Sequence, residues 1–164
     1  MDTLKTFKTL SLGLLIGSTL FLSNCKKDEK DPEPTPVVTP APTNTEKLTG
    51  KNFKLTALTV DPALLGVTDF YSQYDDCQKD DLYRFDTPNI YKEDEGATKC
   101  NTNDAQTKTG TWAWNTDETI ITTSLGGETI SYTVLSNDGT TLKVKHTEQL
   151  GGINYVVTGI FVKQ

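Results

Sequence analysis

Beyond residue 46, apolar and polar positions alternate with a period of two, the spacing of strands that bury one face. Runs rich in Val, Ile, Thr and aromatic residues fall near 51–60, 81–86, 90–95, 109–115, 118–125, 128–135, 140–148 and 153–163, which predicts eight strands. Turn chemistry separates the later runs, at Asn115-Thr116-Asp117, Gly126-Gly127, Asn137-Asp138-Gly139 and Gly151-Gly152. Consecutive hairpins make a meander, and an eight-stranded meander closes into an antiparallel up-and-down barrel with no free edge. An open two-sheet sandwich is the alternative. One interval breaks the period: Leu64, Val67, Phe70, Tyr71 and Tyr74 recur at helical spacing, with Thr68 as a cap, and predict one short helix between Asp61 and Asp76 that lids an end. In the last run Tyr155, Val157 and Phe161 alternate with Val156, Ile160 and Val162, so both faces are apolar and its outer side asks for cover.

The same alternation assigns an interior. Trp112 and Trp114 share a face, with Tyr83 and Phe85, Ile130 and Tyr132, Leu142 and Val144, and Tyr155, Val157 and Phe161 as companions. An eight-stranded barrel is either filled by its own side chains or keeps room for one small ligand. So much aromatic bulk favours a packed core, with a narrow pocket at one mouth as the other outcome. Tyr83, Phe85, Trp112, Trp114, Tyr132, His146 and Tyr155 are the candidate ligand-binding residues.

The N-terminal part follows a different rule. Lys5 and Lys8 precede an apolar stretch, Leu10 to Leu22, that is too short for a permanent membrane span and reads as a signal peptide. It closes on Leu22-Ser23-Asn24-Cys25, the form in which a bacterial lipoprotein signal ends, with Asn24 an unusual last residue before the cysteine. Residues 1–24 would then be removed and Cys25 would carry the lipid, holding the protein to a membrane. Residues 25–45 hold five of the seven prolines, at Pro32, Pro34, Pro36, Pro40 and Pro42, among Thr and charged residues. They predict a disordered tether that can lift a domain up to roughly 60 Å from the lipid surface. Residues 46–164 remain as one domain.

Three cysteines are present, an odd count that lipidation of Cys25 explains. Export makes a disulfide between the other two, Cys77 and Cys100, the expected state. Their midpoint falls at Pro88-Asn89, where a three-residue turn with a left-handed Asn89 sets Phe85 across from Tyr91 and brings the cysteines together. Formal charge is -6 for the whole chain, and loss of the signal removes Asp2, Lys5 and Lys8 and leaves about -7. Such an acidic chain disfavours nucleic acid and anionic lipid as partners.

Several of these residues together carry a family resemblance: Leu48-Thr49-Gly50, Cys77, Asp80, Asp81, Phe85, Tyr91, Glu95-Gly96-Ala97-Thr98-Lys99-Cys100 and Gly110-Thr111-Trp112. The stretch 46–164 resembles the lipocalin-like domain of Bacteroidota lipoproteins, with Phe53 where such domains usually carry tryptophan. Lys26-Lys27-Asp28-Glu29 is similar to the export signal of surface lipoproteins in the same group. The resemblance implies an eight-stranded calyx, and a place on the outer membrane facing the cell exterior, with a periplasm-facing anchor as the alternative.

Catalytic chemistry finds little support. His146, the single histidine, lies on the face of Leu142 and Val144, where it reads first as a satisfied core residue and second as a group at a pocket rim. The carboxylates of Asp75-Asp76, Asp80-Asp81 and Glu93-Asp94-Glu95 lack the spacing of a calcium loop and read as a solvated acidic rim. No zinc cluster or phosphate loop is present, and neither a cofactor nor an enzyme activity is expected. Two functions follow: a tethered module that captures a small apolar molecule, with a cavity lined by Trp112, Tyr132 and their neighbours, or a filled barrel that presents loops such as 101–107 to a protein partner at the cell surface.

Overall fold

A computed structural model describes residues 40–164. The predicted signal segment, Cys25 and most of the tether lie outside the described residues. Nine strands form one antiparallel sheet: β1 Asn52–Leu64, β2 Val67–Asp69, β3 Leu82–Asp86, β4 Ile90–Asp94, β5 Thr107–Trp114, β6 Ile120–Leu125, β7 Glu128–Asn137, β8 Thr141–Leu150 and β9 Ile153–Lys163. From β3 onward each strand pairs with the next, and β9 returns to β1, so eight strands close a ring while β2 extends β1 as a short hairpin partner. The predicted barrel is present, with boundaries that differ by a few residues.

The expected helix between Asp61 and Asp76 is not. β1 runs on to Leu64, and Leu65 and Gly66, both at positive φ, turn it back into β2. That is the two-residue hairpin turn whose twist matches the strands. Helical spacing alone misled here, because apolar residues on the two arms of a hairpin can fall three and four apart. Tyr71–Gln73 then form a 3-10 turn, and helix α2 occupies Asp76–Lys79, capped by Asp75. A second helix, α1 at Asn44–Leu48, straddles the expected boundary between tether and domain, where no helix was expected. Its Thr43 side chain accepts from the Glu46 N–H while the Glu46 carboxylate accepts from the Thr43 N–H, the reciprocal box that starts a helix.

Helix α1 closes one end of the barrel. The Asn44 amide donates to the Glu118 carbonyl, Thr45 Oγ1 donates to the Glu118 carboxylate, and the Asn137 amide donates to the Asn44 carbonyl. Leu48, fully buried, meets the core of Phe53, Phe85, Tyr91, Trp112 and Ile121. Phe53 is itself fully buried and fills the core at the start of β1. Trp112 Nε1 donates to the Asp86 carbonyl at 3.0 Å, and its ring meets Phe85 edge to face at 5.6 Å and Trp114 at 6.1 Å.

The Cys77–Cys100 disulfide is formed and ties α2 to the loop after β4. Phe85 faces Tyr91 as the hairpin reading required. The turn between them differs from expectation: the Thr87-Pro88 peptide is cis and Asn89 is not among the residues at positive φ, while its side-chain amide donates to the Trp112 carbonyl at 2.8 Å. Among the described residues no helix supplies the cover expected over β9: α2 and the 3-10 turn pack mainly on β1 and α1 on β7, and Val156, Ile160 and Val162 are half-buried. All pairings of the ring, the disulfide and the buried core lie within 44–164, so this segment holds a complete folding unit.

Candidate functional site

Strand direction separates the barrel into two halves. At the α1 end the interior is filled by Leu48, Phe53, Trp112 and Trp114, with Ile121 between this cluster and the space beyond. Toward the opposite end, where β8 hands over to β9 and β1 to β2, the interior holds a cavity of about 350 Å³. That volume lies within the range of small-molecule sites.

Its walls follow from the ladder registers. Tyr83 stands opposite Glu93 and Phe85 opposite Tyr91 across β3 and β4, and all four line the cavity. On the other side Val144 faces Gly159, and His146 faces Val157. Gly159 sits between Leu58 of β1 and Val144 of β8, so the strand contributes no side chain at the middle of the wall. A Cβ there would stand 3.0 Å from the Phe161 ring. A shift in the β1 ladder between Leu55 and Ala57 turns both Leu55 and Leu58 inward, where simple alternation would have kept only one. Tyr74, from the connection before α2, reaches the mouth.

The aromatic side chains are held by one another. Tyr83 meets Phe161 edge to face at 5.1 Å, and Tyr132 meets the His146 ring at 5.1 Å. His146 Nε2 lies 3.3 Å from the Glu148 carboxylate. Tyr91 donates its hydroxyl to Glu93 Oε1 at 2.7 Å. Burial, followed by the Glu93 charge, pushes the Tyr83 and Tyr91 hydroxyls well above the usual tyrosine range and Tyr132 up to about 12. All three remain neutral hydrogen-bonding groups at any physiological pH. Beside Tyr132 and His146 the wall loosens: β8 pairs with β7 through Leu142–Lys145 and from His146 onward with β9 alone.

The sequence-predicted residues therefore divide. Tyr83, Phe85, Tyr132 and His146 line the cavity. Trp112 does not: its indole is bonded to Asp86 and wedged into the closed end. Trp114 follows it into that end, and its Nε1 is buried without a hydrogen-bond partner. Tyr155 is buried on β9 opposite Glu148 and is not part of the cavity wall. Glu93 is the residue that sequence reasoning placed elsewhere, among rim carboxylates. Strict alternation from Tyr91 already puts it on the inner face.

The remaining carboxylates act on structure. Asp80 Oδ2 accepts from the Ala97 and Thr98 N–H groups and from Thr98 Oγ1. Burial alone would raise its pKa, but these bonds outweigh it and hold the group below the usual carboxylate range. Asp81 is pushed up to about 6 by burial and by the charges of Glu95, Asp80 and Glu93, with Lys108 opposing. Among the described residues no group of three or more His, Cys, Asp or Glu is placed to hold a metal ion. Likewise, no helix among them is long and apolar enough to cross a membrane. A scan of the chain against protein-family models finds no match, and a search of curated proteins finds no relative.

Proposed function

We propose that this protein is a lipid-anchored lipoprotein of the outer membrane, facing the cell exterior, whose lipocalin-like barrel captures a small, largely apolar molecule. The observation that carries the reading is the cavity of about 350 Å³ at one end of a barrel whose other end is packed solid. A barrel serving only as a scaffold gains stability from filling its interior throughout, whereas a binder must leave room at a reachable end. Leu55, Leu58, Phe85, Val144, Val157 and Phe161 supply apolar wall, and a few polar groups at the mouth supply orientation. Anchoring rests on Leu22-Ser23-Asn24-Cys25, and outward display on Lys26-Lys27-Asp28-Glu29. The reading is of a binder, with His146 held in the wall against Tyr132 and beside Glu148.

Native mass spectrometry of residues 40–164, purified under mild conditions, tests the binding role. A stoichiometric adduct that denaturation releases supports it. A bare mass together with no uptake of apolar fluorescent probes overturns it and turns the search to protein partners. For the anchor, Cys25→Ser is expected to release the protein from the membrane fraction. Protease applied to intact cells separates outward from periplasmic display.

A further inference from the structure

The cavity is apolar but not charge-neutral. Glu93 is the one carboxylate in its wall, and neither lysine nor arginine lines it. Among the described residues Glu93 forms no ion pair, and its side-chain hydrogen bond comes from the neutral Tyr91 hydroxyl. Lys108 stands opposite Glu93 in the β4–β5 register, yet its ammonium lies 3.4 Å from Glu95 instead. The other charged groups near the mouth are Asp80, Asp81, Glu95 and Glu148, against Lys108, with Glu148 already beside the His146 ring. A carboxylate facing an apolar space is costly until a counter-charge arrives.

The same wall carries Tyr74, Tyr83, Tyr91 and Tyr132, of which Tyr83 stands opposite Glu93 and Tyr91 donates its hydroxyl to it. Aromatic faces attract cations through their quadrupoles, and the attraction grows when water is excluded. We propose that the cavity takes an organic cation: an alkyl or aryl ammonium whose apolar body fills the space between Phe85, Val144 and Phe161, and whose charge rests at Glu93 among the tyrosine rings. This deepens the reading of the cavity as a ligand site and depends on it. A fatty acid or other anion of equal size meets Glu93 with no cation in the wall to compensate, so the site selects by charge as well as by size.

Three probes of one chain length decide it: octyltrimethylammonium, octan-1-ol and octanoate, each titrated calorimetrically into residues 40–164 at low salt and near neutral pH. Burial alone ranks the neutral alcohol first, because a charged head costs more to desolvate. The proposal expects the ammonium to bind about tenfold more tightly than the alcohol, with octanoate weakest. Glu93→Gln, whose amide oxygen still accepts from Tyr91, is expected to abolish the advantage of the ammonium over the alcohol. If the alcohol binds as well as the ammonium, or the ammonium keeps its advantage in Glu93→Gln, the cation inference is overturned while the apolar cavity reading stands. If no probe binds, both fall. The comparison in the unsubstituted protein suffices should the variant not fold.

Discussion

Gly96 shows how one residue can set the mouth of the barrel. Its φ is +64°, and a Cβ there would lie 2.3 Å from the Asp80 carbonyl oxygen, so the chain can pass only without a side chain. That close passage delivers the Ala97 and Thr98 N–H groups to the Asp80 carboxylate and leads on to Cys100. Gly96→Ala is expected to cost about 2 kcal/mol or more, read as a lower urea midpoint. The neighbouring Asp81 carries the opposite sign. Its Oδ1 is sealed from water without a partner, and its pKa of about 6 lies above the unfolded value, so its contribution is most favourable in acid and is lost as pH rises through 6. Asp81→Asn is therefore expected to raise the urea midpoint at about pH 8 and to lose that advantage by about pH 4. An equal gain at both values would mean that charge is not the cause.

At the scale of elements, strands were legible and their exceptions instructive. The period-two runs located every strand of the ring, because each buries one face and shows the other to water. β2 was missed because its three residues are too few to display a period, although Leu65-Gly66 carried a turn signal. Helix α1 was missed for a different reason. Proline-rich composition just before it suggested a tether, while Thr43 and Glu46 already had the spacing of a capping box and Leu48 supplied the apolar anchor. Composition averages over a window; a cap is decided by two residues. The cavity wall was partly legible, since alternation placed Tyr83, Phe85, Tyr132 and His146 inside. It gave no depth along the barrel axis, so Trp112 and Trp114 were grouped with residues that lie nearer the other end. α1 and the disulfide hold opposite ends and should fail separately. Leu48→Ala is expected to cost about 2–5 kcal/mol by emptying the closed end. Replacing Cys77 and Cys100 with serine frees a 23-residue separation at the mouth and is expected to cost about 3 kcal/mol. Hydrogen exchange checks the division: the first change should expose amides of β5 and β6, the second those of α2 and the loop after β4.

The whole molecule is a barrel in which stability and binding occupy different halves. Edge-to-face contacts of Trp112 with Trp114 and with Phe85, which is shared with the cavity wall, and the buried Leu48 make the closed end a conventional core. The open end does without that packing and keeps a cavity of about 350 Å³, with the Phe161 ring lying over Gly159 in its wall. Two substitutions separate the halves. Trp112→Ala removes a buried indole and its bond to Asp86, and is expected to cost about 3–5 kcal/mol in a denaturant melt. Val157→Phe adds bulk to the cavity wall between Val60 of β1 and His146 of β8, and the open volume in front of it can take up the ring, so stability should change by no more than about 1 kcal/mol. Ligand uptake should respond in the reverse order. Any Trp112→Ala protein that remains folded keeps its cavity, whereas Val157→Phe narrows the mouth and loses the adduct. If instead Val157→Phe destabilises as strongly as Trp112→Ala, the mouth is part of the core, and the volume there is a packing defect with no room evolved for a guest.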